Sequence, residues 1–375
     1  MPSQVWFHDA KGSPKKNRLV KVRELFERAG FAKLIQPGDR VAVKLHWGEP
    51  GNVGYLPVPY ARAVVDAIRA AGGAAFVTDT NTLYTGLRRN AVDNLKAAAM
   101  NGYSAETLGA PVIVADGLRG FDFREVAIAG TRTGSAKIAS GILDADAMIV
   151  LSHIKSHMLF GFGGALKNLG MGCTTPAGKQ YLHSDVRPTV DTAACCGDGL
   201  CILRCPEKCI QLVPRPADSP GASRRIAQID PDACIGCGEC TSTCPHEAIP
   251  IRWKTSSQAI LHKTAEVALA AVKDKPGRVG YLNCLINITP DCDCCDWNEP
   301  AFIPDLGFAA SVDPVAIDAA SAALVCEAEP VPGSKAAAKG GDPWRAIYDV
   351  DYTEIFRHAE SIGLGSQEYE LVRLK

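Results

Sequence analysis

Two cysteine-rich stretches are the most informative features of this sequence. They are C-C-G-D-G-L-C-I-L-R-C-P at residues 195–206 and C-I-G-C-G-E-C-T-S-T-C-P at residues 234–245. The second stretch has the C-x2-C-x2-C-x3-C-P spacing of thiolates that bind cubane iron-sulfur clusters. The first stretch ends in the same way, but Asp198 stands where the second cysteine of the pattern belongs. The two stretches therefore predict two clusters, one of which departs from the four-thiolate pattern.

The spacing also predicts how the ligands are shared between the clusters. In two-cluster ferredoxins of the bacterial type, the fourth cysteine of each run binds the cluster of the other run. This exchange gives one complete thiolate set and one set with a carboxylate at its fourth corner. The complete 4Fe-4S set is Cys205, Cys234, Cys237 and Cys240. The other set is Cys195, Cys201, Cys244 and Asp198.

The aspartate makes its cluster the weaker of the two. A carboxylate is a harder ligand than a thiolate and binds a cluster iron less firmly, so this corner is expected to be labile. It would leave a 3Fe-4S cluster or an iron open to an exogenous ligand. In an alternative arrangement Asp198 faces solvent and the adjacent Cys196 takes the corner. Zinc bound by the second run is a further alternative.

Composition excludes several classes of protein. The chain has 375 residues, 47% hydrophobic and 22% charged, which is typical of a globular protein of two or three domains. No apolar run is close in length to a membrane span, which needs about 18 residues. With 40 basic and 41 acidic residues, no overall charge favours nucleic acid. The N-terminus lacks a signal-peptide pattern, so the fifteen cysteines predict reduced thiols and metal ligation in the cytoplasm.

The remaining sequence alternates short β-branched runs with helical periodicity, as α/β proteins do. We predict an α/β fold of two lobes, with an inserted two-cluster ferredoxin module of α+β type. The α/β domain would consist of residues 1–190 and 253–375, and the module of residues 191–252. The Pro-, Gly- and Ala-rich residues 329–344 are predicted to form a mobile linker.

Polar residues follow the predicted strands and predict a ligand pocket, because ligands of open α/β sheets bind at the carboxyl ends of strands. The glycine-rich segment at residues 152–183 adds lysines and histidines, and a helix beginning at Ala165 would present amides to a phosphate or carboxylate. The alternative is a structural turn with solvated side chains. Candidates for catalysis are His46, His153, Lys155, His157, Lys167 and His183. Candidates for cofactor binding are Asp79, Asn81, Gly161, Gly163 and Gly164.

A second cysteine cluster, N-I-T-P-D-C-D-C-C-D-W, lies at residues 287–297. It places Cys292, Cys294 and Cys295 among three aspartates, and this density of thiols and carboxylates suggests a further metal site. The spacing matches no standard template. The alternative is a loop whose thiols pack against the inserted module.

Several motifs together resemble the iron-sulfur centre proteins grouped as domain of unknown function 362. They are V-K-L-H-W-G-E-P-G-N, T-D-T-N-T-L-Y, H-I-K-S-H-M-L-F-G-F-G-G-A-L-K-N-L-G-M-G-C, the two cysteine runs, N-I-T-P-D-C-D-C and S-V-D-P-V-A-I-D. The resemblance covers nearly the whole chain. It implies the cofactor and the architecture, but no substrate. Asp198 departs from the four-cysteine pattern expected of the family.

The stretch H-M-L-F-G-F-G-G-A-L-K, followed by His183, is similar to the site of the lactate racemases. In those enzymes a lysine is bonded to a nickel-pincer nucleotide, a later histidine coordinates nickel and an earlier histidine is the acid/base. The resemblance assigns these roles to Lys167, His183 and His157, respectively.

The sequence thus predicts an iron-sulfur redox protein, an oxidoreductase that passes electrons between ferredoxin-type clusters and a pocket of lysines and histidines. A redox partner protein and a small-molecule substrate are its expected partners. Two alternatives remain: a racemase-like enzyme with a nickel or nucleotide cofactor, and a pure electron carrier whose α/β part is a docking surface.

Overall fold

The computed structural model describes residues 2–84, 86–183, 185, 187–217, 220–251 and 255–375. The strands are β1 (Ser3–Asp9), β2 (Arg40–Lys44), β3 (Ala74–Asp79), β4 (Val112–Val114), β5 (Phe123–Ile128), β6 (Gly134–Ala139), β7 (Ala147–His153), β8 (Lys155–His157), β9 (Gly161–Gly163), β10 (Ile210–Pro214), β11 (Arg225–Ile229), β12 (Val279–Leu285), β13 (Gly307–Ser311) and β14 (Tyr369–Arg373).

The helices in the described part of the chain are α1 (Arg18–Arg28), α2 (Val58–Ala70), α3 (Ala91–Met100), α4 (Ala105–Leu108), α5 (Ser140–Leu143), α6 (Ala165–Gly172), α7 (Pro176–His183), α8 (Leu200–Arg204), α9 (Glu239–Thr243), α10 (Ser257–Val272), α11 (Pro314–Cys326), α12 (Lys335–Lys339), α13 (Pro343–Ile347) and α14 (Thr353–Ser361). Short 3-10 turns lie at Phe31–Leu34 and Leu87–Arg89.

One eight-stranded sheet organises these elements, in the order β14-β1-β13-β12-β7-β2-β3-β4. Strands β12, β7, β2, β3 and β4 are parallel, whereas β13 is antiparallel to both β12 and β1. The predicted α/β class is confirmed. The two predicted lobes are not found, because β12 pairs directly with β7 and joins the parts of the chain before and after the cysteine-rich segment in one sheet.

Alternation along the central strand explains why helices cover both faces of the sheet. In β7, Met148 and Val150 pack into one hydrophobic core, while Ile149 and Leu151 pack into another. Successive side chains of a strand point to opposite faces, so a strand that is apolar at every position must be buried on both sides. All seven residues of β7 are buried.

Residues 191–251, which we call the cysteine-rich segment, form a compact unit against α7. The strands β10 and β11 pair as an antiparallel hairpin, and α8 and α9 pack together. The loop before α9 contacts α7 closely: a Cβ atom on Gly238 would lie 2.6 Å from Cβ of Gln180. The segment is therefore seated on the helix that follows the glycine-rich stretch.

The prediction of a mobile linker at residues 329–344 is wrong. It contains α12, and the side chain of Trp344 at its end is fully buried. The Trp344 ring makes edge contacts with Phe162 and Phe302, with centroids 5.1 and 5.6 Å apart. The small-residue composition suggested mobility, but a single aromatic side chain anchors this stretch in the core.

None of the helices in the described ranges combines the length and the apolar character that a membrane span requires.

Replacing Trp344 with alanine is expected to lower the free energy of unfolding by about 3–5 kcal/mol, because it empties a large core site. Trp297, which is 50% exposed, is the matched control, and Trp297→Ala should change stability by less than about 0.5 kcal/mol. Anaerobic urea unfolding followed by circular dichroism measures both. Equal, small effects would show that Trp344 does not anchor this stretch.

Candidate functional site

A cavity of about 430 Å³ opens at the carboxyl ends of β2, β3 and β7, and we call it the central cavity. Parallel strands end at the same edge of a sheet, which brings residues distant in sequence together. The predicted residues that line it are His46, Asp79, His153, Lys155, His157, Gly163, Gly164, Lys167, His183, Cys292, Cys294 and Cys295. The strand ends, the glycine-rich segment and the second cysteine cluster therefore contribute to one cavity.

Two predicted cofactor-binding residues do not line this cavity. The side-chain amide of Asn81 donates to Oδ1 of Asp116 and to the carbonyl of Gly117, both at 2.9 Å, so it stabilises the loop after β3. Gly161, with φ of +66°, lies against Val350 and Tyr352, where a Cβ atom would be crowded. The structure therefore explains Asn81 by its hydrogen bonds and Gly161 by its close packing.

A buried ion network surrounds Asp79. Its carboxylate lies 3.0 Å from Nζ of Lys44 and 3.0 Å from Nδ1 of His46. Arg88 extends the network through Nε to Oε2 of Glu49 at 2.7 Å. Burial opposes ionisation of Asp79, but Lys44 and His46 hold its pKa well below the usual range. Asp79 therefore remains an anion, and it holds Lys44, His46 and Arg88 in place.

A second buried carboxylate, Asp293, anchors the other side of the cavity. It lies 3.0 Å from Nδ1 of His153 and 3.0 Å from Nζ of Lys155. Nε2 of His153 faces the carbonyls of Ile286 and Asn287 at 2.9 and 3.1 Å. Both ring nitrogens of His153 are thus engaged by protein groups, so this predicted catalytic residue holds the loop after β12 in place.

The N-terminus of α6 is occupied by the protein itself. The amides of Ala165 and Leu166 donate to the carboxylate of Asp318, each at 2.8 Å. A Cβ atom on Gly164 would lie 2.4 Å from Oδ1 of Asp318, so glycine lets the two elements meet. The expectation that these amides bind a phosphate or carboxylate ligand is corrected, because the carboxylate comes from α11.

The thiols of the second cysteine cluster face the predicted lysine and histidine. Nζ of Lys167 lies 3.3 Å from Sγ of Cys292, and Nε2 of His157 lies 3.9 Å from Sγ of Cys294. The ligand atoms of His157, Cys292 and Cys294 lie within 4.8 Å of one another. Nδ1 of His157 accepts from the amide of Leu159 at 3.0 Å, which places the proton of the neutral ring on Nε2.

That tautomer bears on the predicted metal site. A metal bound to Nε2 would require the proton on Nδ1, and the hydrogen bond from Leu159 would be lost. In the geometry observed, His157 instead directs a proton toward Cys294. This wall of the cavity can therefore exchange protons with thiols, and metal binding would require His157 to change its hydrogen bond.

Burial sets the protonation of the cavity's bases. It lowers the pKa of His46 to about 3, with a further contribution from Arg88. Burial, together with Lys167 and Lys179, also lowers the pKa of His183 to about 3. Burial lowers the pKa of Lys179 to about 8, although Asp116 opposes the shift. The imidazoles of His46 and His183 are therefore neutral at pH 7, and Lys179 releases its proton more readily than an exposed lysine does.

The thiols of the second cysteine cluster affect the charge of Lys167. Burial acts to lower its pKa, but the thiols of Cys292 and Cys294 raise it above the ordinary value. The ring of Phe160 also lies 5.5 Å from the ammonium group of Lys167. Lys167 is therefore a cation at neutral pH.

Sequence reasoning missed several polar residues of the cavity wall. Lys44 and Arg88 are almost completely buried, and Lys179 donates to Oγ1 of Thr80 at 2.7 Å. A lysine inside an apolar strand was the available signal for Lys44, because a buried charge must be paired. The partners of Arg88 lie about forty residues away in sequence, and no local pattern marks them. The missed lining residues include Lys44, Arg88, Lys179, Asn168 and Tyr348.

The predicted cluster ligands surround two smaller cavities in the cysteine-rich segment, named here for one cysteine each. The Cys234 cavity is lined by Cys205, Cys234, Cys237 and Cys240. The Cys195 cavity is lined by Cys195, Asp198, Cys201 and Cys244. Each cavity thus combines three ligands of one run with the last cysteine of the other.

Further thiols lie at both cavities. Cys209 lines the Cys234 cavity, with its Sγ 3.4 Å from Sγ of Cys205, so it is a fifth thiol there. Cys196 lines the Cys195 cavity but is exposed. It occupies the position that Ile235 holds in the other run, and Ile235 is 59% exposed. Asp198 also lines this cavity and is likewise exposed, so both side chains stand at its outer edge.

Residues 41–323 match the family described as "Domain of unknown function (DUF362)", and the chain belongs to that family. No curated protein shows a significant match to it. One similar solved structure is the lactate racemase apoprotein from Thermoanaerobacterium thermosaccharolyticum, with 11% identity, 75% of this chain and 50% of that chain covered, and a TM-score of 0.38. Another similar solved structure is a protein from Thermotoga maritima, with 10% identity and a TM-score of 0.35. The match covers 71% of this chain and 50% of that chain.

This chain spans about half the length of each of those two proteins. The family and the resemblance to lactate racemase that the motifs indicated are both confirmed as similarities. They assign no activity to this chain.

The Asp318 cap predicts a pH dependence of stability. Burial raises the pKa of Asp318 to about 6, so the folded state binds its proton more tightly than the unfolded state. The stabilisation is fully present below the unfolded pKa of about 3.9 and is lost as pH rises through about 6. Between pH 5 and 7.5 the wild type should lose about 1 kcal/mol that Asp318→Asn does not lose.

Urea unfolding of both proteins across this pH range measures the difference. Asp122→Asn, which changes a carboxylate outside the cap, is the matched control and should follow the wild type. Parallel pH profiles for the wild type and Asp318→Asn would contradict the assignment.

Proposed function

We propose that this chain is an iron-sulfur oxidoreductase, in which two clusters in the cysteine-rich segment exchange electrons with a small molecule in the central cavity. The observation that carries the proposal is the partition of the cysteines. Two cavities each gather three ligands from one run and one from the other, as the shared ligation of two-cluster ferredoxins requires.

The ligand sets fit iron-sulfur clusters chemically. Burial raises the pKa of Cys201 to about 11 and that of Cys240 to about 12, so these thiols would stay protonated without a cation beside them. A metal ion removes such protons and makes the thiolate the stable form. The amide of Ala227 donates to Sγ of Cys195 at 3.4 Å, and such bonds help to set a cluster's potential.

Helix α7 supports an electron route from the Cys234 cavity to the central cavity. Gly238, which lines the Cys234 cavity, packs against Gln180 of α7. Lys179 and His183 of the same helix line the central cavity. The proposal makes the Cys234 cluster the proximal one, and an unidentified redox partner protein would exchange electrons with the clusters from outside.

The residues of the central cavity suit an anionic substrate whose reduction or oxidation moves protons. Lys155 and Lys167 supply buried positive charge. His46 and His183 have pKa values lowered by burial and are neutral bases there, and the neutral ring of His157 directs its proton toward Cys294. A site with both kinds of group can orient a carboxylate or phosphate and exchange protons with it.

The first test concerns the aspartate in the cluster. Wild-type protein, oxidised mildly under anaerobic conditions, is expected to develop a 3Fe-4S signal in electron paramagnetic resonance, because the Asp198 corner loses iron. Asp198→Cys should suppress that signal, and Cys196→Ala should leave it unchanged. Loss of one cluster in Cys196→Ala, with no effect of Asp198→Cys, would assign the corner to Cys196.

The second test concerns the central cavity. A panel of carboxylates and phosphate esters is screened for compounds that raise the melting temperature of the wild type. For any such compound, Lys167→Ala should weaken binding roughly tenfold or more, since a hydrogen bond to a charged group contributes about 1.5–3 kcal/mol. His183→Ala should weaken it as well, with cluster content unchanged in both variants.

Lys96→Ala, which changes an exposed lysine on α3, is the matched control and should bind as the wild type does. If Lys167→Ala and His183→Ala also bind every stabilising compound normally, the chain is better explained as a pure electron carrier.

A racemase-like enzyme is the second candidate, and one observation favours it. His157, Lys167 and His183 line the same cavity, as the resemblance to lactate racemases requires. Its cofactor would involve nickel or a nucleotide, and the thiols of Cys292, Cys294 and Cys295 offer further metal ligands. Stoichiometric nickel, or added mass on Lys167 in native protein, would support this candidate over the first.

A further inference from the structure

The loop that carries Asp198 has the same backbone form as the loop that carries Cys237. Each residue lies between two glycines in the left-handed region, with φ of 72° and 74° around Asp198 and 71° and 77° around Cys237. Oδ1 of Asp198 accepts from the amide of Leu200 at 3.1 Å, and Cys237 makes the corresponding contact with the backbone of Glu239. The carboxylate of Asp198 therefore stands where the other loop has its sulfur.

A histidine faces this carboxylate. His246 follows Cys244 and Pro245, and its Nε2 lies 3.7 Å from Oδ2 of Asp198. It lines the Cys195 cavity, just as Glu207, which follows Cys205 and Pro206, lines the Cys234 cavity. The residue after each Cys-Pro is thus close to the corner of a cluster site.

The two cluster sites differ at the ligand position and at the residue after the Cys-Pro pair. Where the ligand position is a cysteine, the neighbouring position is Glu207; where it is Asp198, the neighbour is His246. A glutamate next to a thiolate adds negative charge, but an imidazole next to a carboxylate adds a second donor for a metal ion. Ligand atoms of Asp198, His246 and Cys196 all lie within 4.8 Å of one another.

We infer that Asp198 and His246 together bind the metal at the fourth corner of the Cys195 cluster, so that this corner takes and releases a divalent ion such as Fe²⁺, Zn²⁺ or Co²⁺. The inference rests on the proposed function, because it presumes the cluster. Imidazole nitrogen binds Fe²⁺ and Zn²⁺, and a carboxylate holds a cluster iron less firmly than a thiolate does, so a metal at this corner can be exchanged. The Cys195 cluster then has one exchangeable metal. The Cys234 cluster, which is ligated by thiolates alone, has none.

The test begins with protein whose Asp198 corner has been emptied by mild oxidation, then reduced with dithionite and titrated with Co²⁺ or Zn²⁺. The wild type should bind one ion per cluster and change its electron paramagnetic resonance spectrum accordingly. His246→Ala should bind the same ion about tenfold more weakly, as loss of a group that supports metal binding typically does. Cys196→Ser tests the third group near this corner and should bind normally, and Glu207→Ala, at the matching position of the Cys234 cavity, is the control.

A spectroscopic readout separates ligation by His246 from an indirect effect. Electron-nuclear double resonance of the metal-loaded protein should show nitrogen coupling that disappears in His246→Ala and persists in Cys196→Ser. Wild-type metal affinity in His246→Ala, or loss of binding in Cys196→Ser, would overturn the inference while leaving two clusters in place. A protein without acid-labile sulfide would overturn the proposed function and this inference together.

Discussion

The carboxylate of Asp293 holds the central cavity together. This carboxylate is completely buried and pairs with His153 and Lys155 at the end of β7. The backbone carbonyl of Asp293 accepts from the amide of Glu49 at 2.8 Å. The loop after β12 is thereby fixed to the loops after β7 and β2, and Cys292 is held beside Lys167. Removing one partner of a buried ion pair leaves an uncompensated charge, which typically costs about 3–5 kcal/mol. The positions of the thiols thus depend on an aspartate that the sequence had suggested as a companion of metal ligands.

The sequence predicted the parts of the structure that local patterns determine. Strand ends at Asp79 and His153 were recognisable because an apolar run stops there, and parallel pairing then brings them to one edge. The cysteine spacing likewise predicted which thiols share a cavity. What the sequence did not predict depends on distant partners: Asp318 caps a helix 153 residues earlier, and β12 pairs with β7 across the whole cysteine-rich segment. No local pattern shows whether a buried carboxylate will meet a metal ion, an amide or a lysine.

The same limit applies to the second cysteine cluster. Aspartates next to cysteines are typical of metal sites, but here Asp293 meets two basic side chains, and Asp291 accepts from the amide of Glu299 at 2.9 Å. The thiols are left facing Lys167 and His157, which are proton donors in this geometry. A proton-exchanging wall beside a pocket with positive charge agrees with redox chemistry on an anion. Helix α7, which contributes Lys179 and His183 to the same cavity, packs against the cysteine-rich segment.

The central claim is that the two cysteine-lined cavities hold iron-sulfur clusters. Its most direct test is the amount of iron and acid-labile sulfide in protein purified without oxygen. The account predicts about seven to eight iron atoms and about eight sulfides per chain, corresponding to one 4Fe-4S cluster and one that alternates between 3Fe-4S and 4Fe-4S. Zinc in place of iron, with no labile sulfide, would contradict the account.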